Sequence, residues 1–220
     1  ISAFVRALGP ALGGLDLVSL PSPLPDDAPQ GVERWPGVFH HRLPAPGDNH
    51  IARVLAYRAA LGRFWGERRP PVVHVRSIYE GYPLVAAKKA GRLGRLIAEL
   101  NGLPSIELKY HHPEVAHDAI LMRKLIAQED ALMAAADDLI VVSEVTRAHL
   151  VSRGAAPDKV RLIPNGVDLE LFPFRPPERL DGPLRLLYVG TMAAWQGVPV
   201  LLDALSLVNR EHPATLTLVG

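Results

Sequence analysis

Cysteine is missing from the sequence, no long apolar run occurs in it, and neither sign of charge is in excess. The absence of cysteine excludes disulfide bonds and thiolate metal sites, and it fits a cytoplasmic location. The 24 basic and 23 acidic side chains create no large field, which argues against nucleic acid as the main partner. No apolar run reaches the roughly 18 residues that span a bilayer, so we predict a soluble chain.

Histidine is the remaining candidate metal ligand, and the sequence contains nine. His40 and His41 are adjacent, as are His111 and His112, so neither pair has the i, i+4 helical spacing that directs two imidazoles at one ion. We therefore expect hydrogen-bonded or solvent-facing histidines and no metal site.

The composition is that of a globular protein, with 48% hydrophobic and 21% charged residues. The 220 residues can bury a core but are few for two complete domains. The chain opens at Ile1 without a methionine and stops at Gly220 directly after an apolar run. We expect both ends to be cut and one domain to be a remnant.

Short apolar or β-branched runs alternate with amphipathic stretches along the first three quarters of the chain. The predicted strands are Leu15–Leu20, Val38–Leu43, Pro71–Val75, Arg95–Leu100, Asp138–Val142 and Lys159–Ile163. The predicted helices are Asn49–Glu67, Gly81–Ala90, Glu114–Ala136 and Glu144–Arg153, with Ser143 as the N-cap of the last. This alternation predicts an α/β fold with a doubly wound, mostly parallel Rossmann-like sheet.

Proline marks the expected boundaries. Residues 21–29 are proline-rich and predict a loop, and residues 173–183 combine prolines with charges as an exposed linker does. The linker divides an amino-terminal domain, residues 1–172, from a second unit, residues 184–220. The sequence of the second unit predicts strand 184–189, loop 190–197, helix 198–209 and strand 214–219. Together these form a single βαβ unit, which is too small to be a domain.

Two loops are candidate ligand sites. Pro164-Asn165-Gly166-Val167-Asp168 leaves the carboxyl end of a predicted parallel strand at the domain boundary, where open α/β sheets bind ligands. The simpler interpretation is a turn, because Asn-Gly readily adopts positive φ and Asp168 can cap the following residues. Tyr188 to Gly197 forms a strand, a glycine turn and a helix start, which could present N–H groups to phosphate or be turn geometry alone.

In order and spacing these segments resemble glycosyltransferase family 4, whose members are retaining enzymes of the GT-B fold. The resemblance is carried by residues 141–143, Leu150, Gly154, 159–160, 163–168, Phe172, 187–190, Gly197 and 201–204, and more loosely by 73–77 and 99–102. Residues 1–68 are similar only in layout.

The resemblance implies an acceptor domain followed by a nucleotide-sugar domain, with a sugar nucleotide as donor substrate and no further cofactor. It implies donor-binding roles for Asn165, Gly166, Gly190, Thr191, Gln196 and Gly197. It implies acceptor-binding roles for Glu99, Asn101, Gly102 and Ser143. No catalytic residue is assigned, because stabilisation of the leaving diphosphate and exclusion of water would supply the rate rather than a protein nucleophile.

The sequence also departs from the family pattern. Thr191 and Gln196 stand where many members carry Arg and Lys, so the loop lacks a cationic clamp. Asn101 stands near the place of a frequent histidine and cannot act as a base. The first strand and a pair of donor-binding glutamates, expected beyond the two ends, are missing, so we expect the piece to be inactive alone.

The leading hypothesis is transfer of a hexosyl or related group to a glycan, lipid or small-molecule acceptor. A sugar-nucleotide epimerase of the same architecture and a non-catalytic sugar-nucleotide-binding module stay open as alternatives. A peripheral contact with a membrane also stays open, although residues 49–67 are more typical of a core helix.

Overall fold

The computed structural model describes residues 2–20, 32–66, 68–115, 117–176 and 182–220. The predicted loop 21–29 and residues 177–181 of the predicted linker lie outside the described residues. The chain divides into two units by its contacts. The first comprises residues 1–105 and 120–164, and the second comprises residues 106–119 and 165–220.

The structure has the following elements. The helices are α1 (Ser2–Leu12), α2 (His50–Trp65), α3 (Ile78–Lys89), α4 (Pro104–His111), α5 (Ala119–Ala135), α6 (Glu144–Ser152) and α7 (Val198–Val208). The strands are β1 (Leu15–Ser19), β2 (Val32–Trp35), β3 (Val38–Arg42), β4 (Val72–Val75), β5 (Arg95–Glu99), β6 (Asp138–Val141), β7 (Val160–Leu162), β8 (Leu184–Val189) and β9 (Ala214–Val219).

The largest sheet is fully parallel, with strand order β4-β5-β6-β7. Alternate side chains of its first three strands point to one buried face: Val73, Val75, Leu96, Ala98, Leu139 and Val141. Helix α3 approaches closely at Gly81, where a Cβ would lie 2.6 Å from Leu132 of α5. The glycine therefore allows α3 and α5 to pack together over this face, which confirms the predicted parallel α/β arrangement.

The amino ends of these strands are held by a polar network. Asp137 accepts a hydrogen bond from the backbone N–H of Leu96 at 2.7 Å and pairs with Lys88 at 2.6 Å. Gly94 directly precedes β5 and lies against the backbone of Pro71. A Cβ at this position would lie 2.2 Å from the carbonyl oxygen of Pro71. Gly94 is therefore required for β5 to enter the sheet beside β4.

A second sheet of three strands has the order β1-β3-β2. Strands β1 and β3 are parallel, whereas β2 and β3 are antiparallel. The sequence predicted one sheet lacking a strand. The described strands of residues 1–172 instead fall into two sheets, because no hydrogen-bonded ladder joins β1 or β3 to the four-stranded sheet.

Several helix boundaries differ from the predictions. Helix α3 begins at Ile78, three residues early, because Ser77 caps it and its hydroxyl also donates to Glu80. Helix α5 begins at Ala119 rather than Glu114, because residues 113–115 form a separate 3₁₀ turn. Helices α1 and α4 and strand β2 were not predicted. Ser143 caps α6 as expected, accepting from the N–H of Thr146 at 3.1 Å.

The second unit contains the predicted βαβ arrangement. Strands β8 and β9 pair in parallel over six residues each, and α7 connects them. None of the described helices has both the length and the apolar content that crossing a bilayer requires.

Candidate functional site

A polar cluster lies at the carboxyl ends of β4 and β5, and Glu99 is its centre. Arg76, just beyond β4, donates from Nε and Nη2 to Oε1 of Glu99, at 3.0 and 2.8 Å. The side-chain amide of Asn101 donates to the same oxygen at 3.0 Å. The parallel sheet brings these groups together because neighbouring strands end at the same edge. This edge is where open α/β sheets bind ligands.

His74 completes the cluster from β4. Its Nε2 atom lies 3.1 Å from Oε2 of Glu99. The ring of Phe4 packs edge-on against the imidazole, with centroids 5.5 Å apart. Burial lowers the pKa of His74 below its ordinary value of 6.5 and outweighs the attraction of Glu99. Burial therefore favours the neutral form of the His74 imidazole.

Glu99 is held as a carboxylate. Burial alone would raise its pKa, but hydrogen bonds from Arg76 and Asn101 outweigh burial and keep the pKa below its ordinary value of 4.5. Its side chain retains 15% exposure, and that of Arg76 retains 42%. An anionic acceptor beside a half-exposed guanidinium can bind the hydroxyl groups of a sugar or polyol.

The structure unites only some of the predicted acceptor residues. Glu99 and Asn101 are bonded to each other, and Gly102 lies in the same turn. Ser143 follows β6, the next strand, and its hydroxyl is engaged with Thr146 at the start of α6. Its described contacts are therefore those of a helix cap.

His74 and Arg76 were missed as site residues, although both stand in the segment 73–77 that resembled the family. Their signal was present in the sequence, since polar residues alternate with valines at the end of a predicted strand. The sequence did not reveal that both contact Glu99, which lies 23 residues beyond Arg76.

The predicted donor loop of the second unit follows β8. The hydroxyl of Tyr188 donates to the carbonyl of Thr191 at 2.8 Å and closes the turn at Gly190. Gly197 ends the loop in the left-handed region with φ of +73° and caps α7. Gln196 donates its backbone N–H to Ala193 at 2.9 Å. The loop is thus a folded turn with half-exposed or exposed side chains.

The other predicted donor segment, residues 164–168, is exposed and irregular, and its residues 165–168 belong to the second unit. Asp168 caps the following residues, since its Oδ1 accepts from the N–H of Glu170 at 3.0 Å. This capping was expected of a turn. The positive φ that is typical of an Asn-Gly turn is not found at Asn165 or Gly166.

No group of three or more His, Asp or Glu side chains placed to hold a metal ion occurs in the ranges that the structure describes.

Comparison with known proteins settles the family. The model of glycosyltransferase family 4 matches residues 14–171 of this chain. The chain belongs to glycosyltransferase family 4. The match covers the four-stranded sheet and the polar cluster around Glu99, so both lie within the family 4 region of this chain.

Curated relatives are similarly informative. A D-inositol 3-phosphate glycosyltransferase of Catenulispora acidiphila is 29% identical over 195 residues, which are 80% of this chain and 44% of the relative. A glycogen synthase of Mycobacterium tuberculosis is 30% identical over 162 residues, which are 69% of this chain and 36% of the relative. The family 4 chain thus spans less than half the length of these relatives.

Solved structures show the same fold. Sucrose-phosphate synthase from Thermosynechococcus elongatus superposes with a TM-score of 0.66 at 18% identity, over 99% of this chain and 64% of that one. A lipopolysaccharide outer core galactosyltransferase superposes with a TM-score of 0.52 at 17% identity, over 82% of this chain and 45% of that one. The expected GT-B architecture of the family 4 chain is confirmed.

Proposed function

We propose that the full-length protein to which these residues belong transfers a glycosyl group from a sugar nucleotide to a hydroxyl of a small-molecule, glycan or lipid acceptor. The observation that carries the proposal is the family match over residues 14–171, which includes the polar cluster at the carboxyl edge of the sheet. Glycosyl transfer needs an acceptor site of this kind, because the reacting hydroxyl must be held in one orientation.

In this proposal Glu99 accepts a hydrogen bond from an acceptor hydroxyl. Arg76 and Asn101 keep Glu99 ionised and in place, and they offer further N–H donors to the acceptor. His74 stays neutral and adds no charge that would compete for the carboxylate. The cluster therefore orients the acceptor and does not act as a nucleophile.

The donor loop, residues 190–197, would bind the diphosphate. The first turn of α7 contributes backbone N–H groups that no helix carbonyl accepts, at the positive end of the helix dipole. The N–H of Gly190 is already engaged with Val219 at 2.9 Å, so the loop offers fewer donors than its glycines suggested. Thr191 and Gln196 add neutral polar side chains.

The test is nucleotide release by the full-length protein from a panel of sugar nucleotides, with D-inositol 3-phosphate and glycogen as acceptors. These acceptors are taken from the names of two relatives. Release from one donor that falls at least about tenfold on Asn165→Ala supports the proposal. Binding of a donor without turnover would favour the non-catalytic binding module instead.

A further inference from the structure

Glu129 of α5 is a carboxylate with no exposed surface, in the first unit. One of its oxygens accepts from the backbone N–H of Ser105 at 2.8 Å, and the other accepts from the hydroxyl of Ser105 at 2.7 Å. Arg153, the C-cap residue directly after α6, forms an ion pair with it. Burial of a carboxylate is costly unless its hydrogen bonds and its ion pair are maintained.

Ser105 is the second residue of α4, and α4 has no cap of its own. Leu103 precedes the helix and has no side-chain acceptor, while Pro104 opens it. Glu129 therefore supplies from another helix the acceptor that a local Ser, Thr or Asp would otherwise give. Its negative charge also lies at the favourable, positive end of the α4 dipole.

The turn from β5 to α4 is thus fixed at both ends. At its start Leu100 is buried and its N–H donates to Ile140 at 2.8 Å. At its end Leu103 is buried and Ser105 is bonded to Glu129. Between these anchors stand Asn101 and Gly102, two of the residues proposed to face the acceptor.

We infer that Glu129 is a positioning residue for the acceptor site, which holds the Asn101–Gly102 turn in place through Ser105. This inference rests on the proposed function for its consequence in catalysis, whereas the ordering of the turn does not depend on it. Arg153 supports the carboxylate and is itself held by Asp130 at 2.6 Å.

Asp130 offers a matched control for Glu129. Both are carboxylates on α5 and both pair with Arg153. Asp130 is half exposed, however, and only Glu129 accepts hydrogen bonds from Ser105. Glu129→Gln and Asp130→Asn remove the same charge beside the same arginine. Only the first weakens the link to α4.

The first measurement is amide hydrogen exchange in the full-length protein, which does not require activity. We expect the amides of residues 101–103 and of Ser105 to exchange at least about tenfold faster in Glu129→Gln than in Asp130→Asn. Equal exchange in the two variants overturns the inference. If Glu129→Gln does not fold, Ser105→Ala removes one of the two bonds, and it should give a smaller change in the same residues.

The second measurement is kinetic and uses whichever of D-inositol 3-phosphate and glycogen is glycosylated. Glu129→Gln should raise the KM for the acceptor about tenfold and leave the KM for the donor within about twofold, whereas Asp130→Asn should change neither. An equal rise in both KM values indicates a general structural role and overturns the inference. Absence of turnover in the wild type contradicts the proposed function, and the exchange result then decides the inference alone.

Discussion

Arg76 donates two hydrogen bonds to one oxygen of Glu99, across the carboxyl ends of two parallel strands. The sheet holds another arginine–carboxylate pair at its opposite edge, between Arg95 and Asp138 at 2.7 Å. The two pairs are alike in chemistry but differ in place. Only the Glu99 pair lies where parallel sheets bind ligands, and this contrast supplies a control within one sheet.

Glu99→Gln is expected to lower kcat/KM for the acceptor at least about tenfold, since a charged acceptor of hydrogen bonds becomes a neutral amide. Donor hydrolysis without acceptor should persist. The check is steady-state kinetics of the full-length protein, with Asp138→Asn as control. A greater loss in Asp138→Asn than in Glu99→Gln would speak against an acceptor site at Glu99.

His74 makes the stability of the protein depend on pH. Because burial keeps its pKa below 6.5 in the folded state, the unfolded chain binds the proton first as the pH falls. Stability should therefore be complete above about pH 6.5 and decrease below it. Urea unfolding of wild type and His74→Gln at pH 7.5 and 5.5 tests this, with the exposed His117→Gln as control. If the free energy of unfolding falls equally in wild type and His74→Gln between pH 7.5 and 5.5, the prediction is contradicted.

Gly94→Ala is expected to destabilise the fold by about 2–4 kcal/mol, because the new methyl group would meet the backbone of Pro71. Gly62→Ala is expected to have the opposite effect on stability. Gly62 lies on an exposed position of α2 with no atom within 4 Å of its missing Cβ, so alanine should stabilise the helix by about 0.5–1 kcal/mol. Chemical denaturation of both variants is the measurement, and a stable Gly94→Ala would refute the packing of β5 against Pro71.

The donor loop can be tested by gain of function. Thr191→Arg together with Gln196→Lys should lower the KM for the sugar nucleotide about tenfold, because charged donors replace neutral ones beside a diphosphate. The double variant Thr191→Ala and Gln196→Ala, which adds no charge, should raise it or leave it unchanged. Identical KM values in both double variants would place the diphosphate elsewhere.

The sequence was sufficient for the elements with a strong local signal. Strand β6 contains part of the continuous apolar run 139–142, and Ser143 caps the helix that follows this strand. Helix α4 was missed because its cap, Glu129, lies 24 residues away from Ser105 and no local pattern announces it. The start of α3 had a readable signal, the capping box of Ser77 and Glu80.

The sequence indicated only part of the candidate site. Glu99 ends one strand and Asn101 lies just beyond it, and the resemblance to the family pointed to both residues. Their partners are His74, in the previous strand, and Arg76, just beyond that strand, and the contact between the two strands is a property of the sheet register. The register, like the burial of Glu129, depends on long-range packing that a single sequence does not display.

The most direct test of glycosyl transfer is the stoichiometry of the reaction catalysed by the full-length protein. The purified enzyme is incubated with the active sugar nucleotide and with D-inositol 3-phosphate or glycogen, and released nucleotide and glycosylated acceptor are both quantified by mass spectrometry. Glycosyl transfer predicts equal amounts of nucleotide and glycosylated acceptor. A donor sugar that is epimerised or left intact, with no mass added to either acceptor and no nucleotide released, would contradict it.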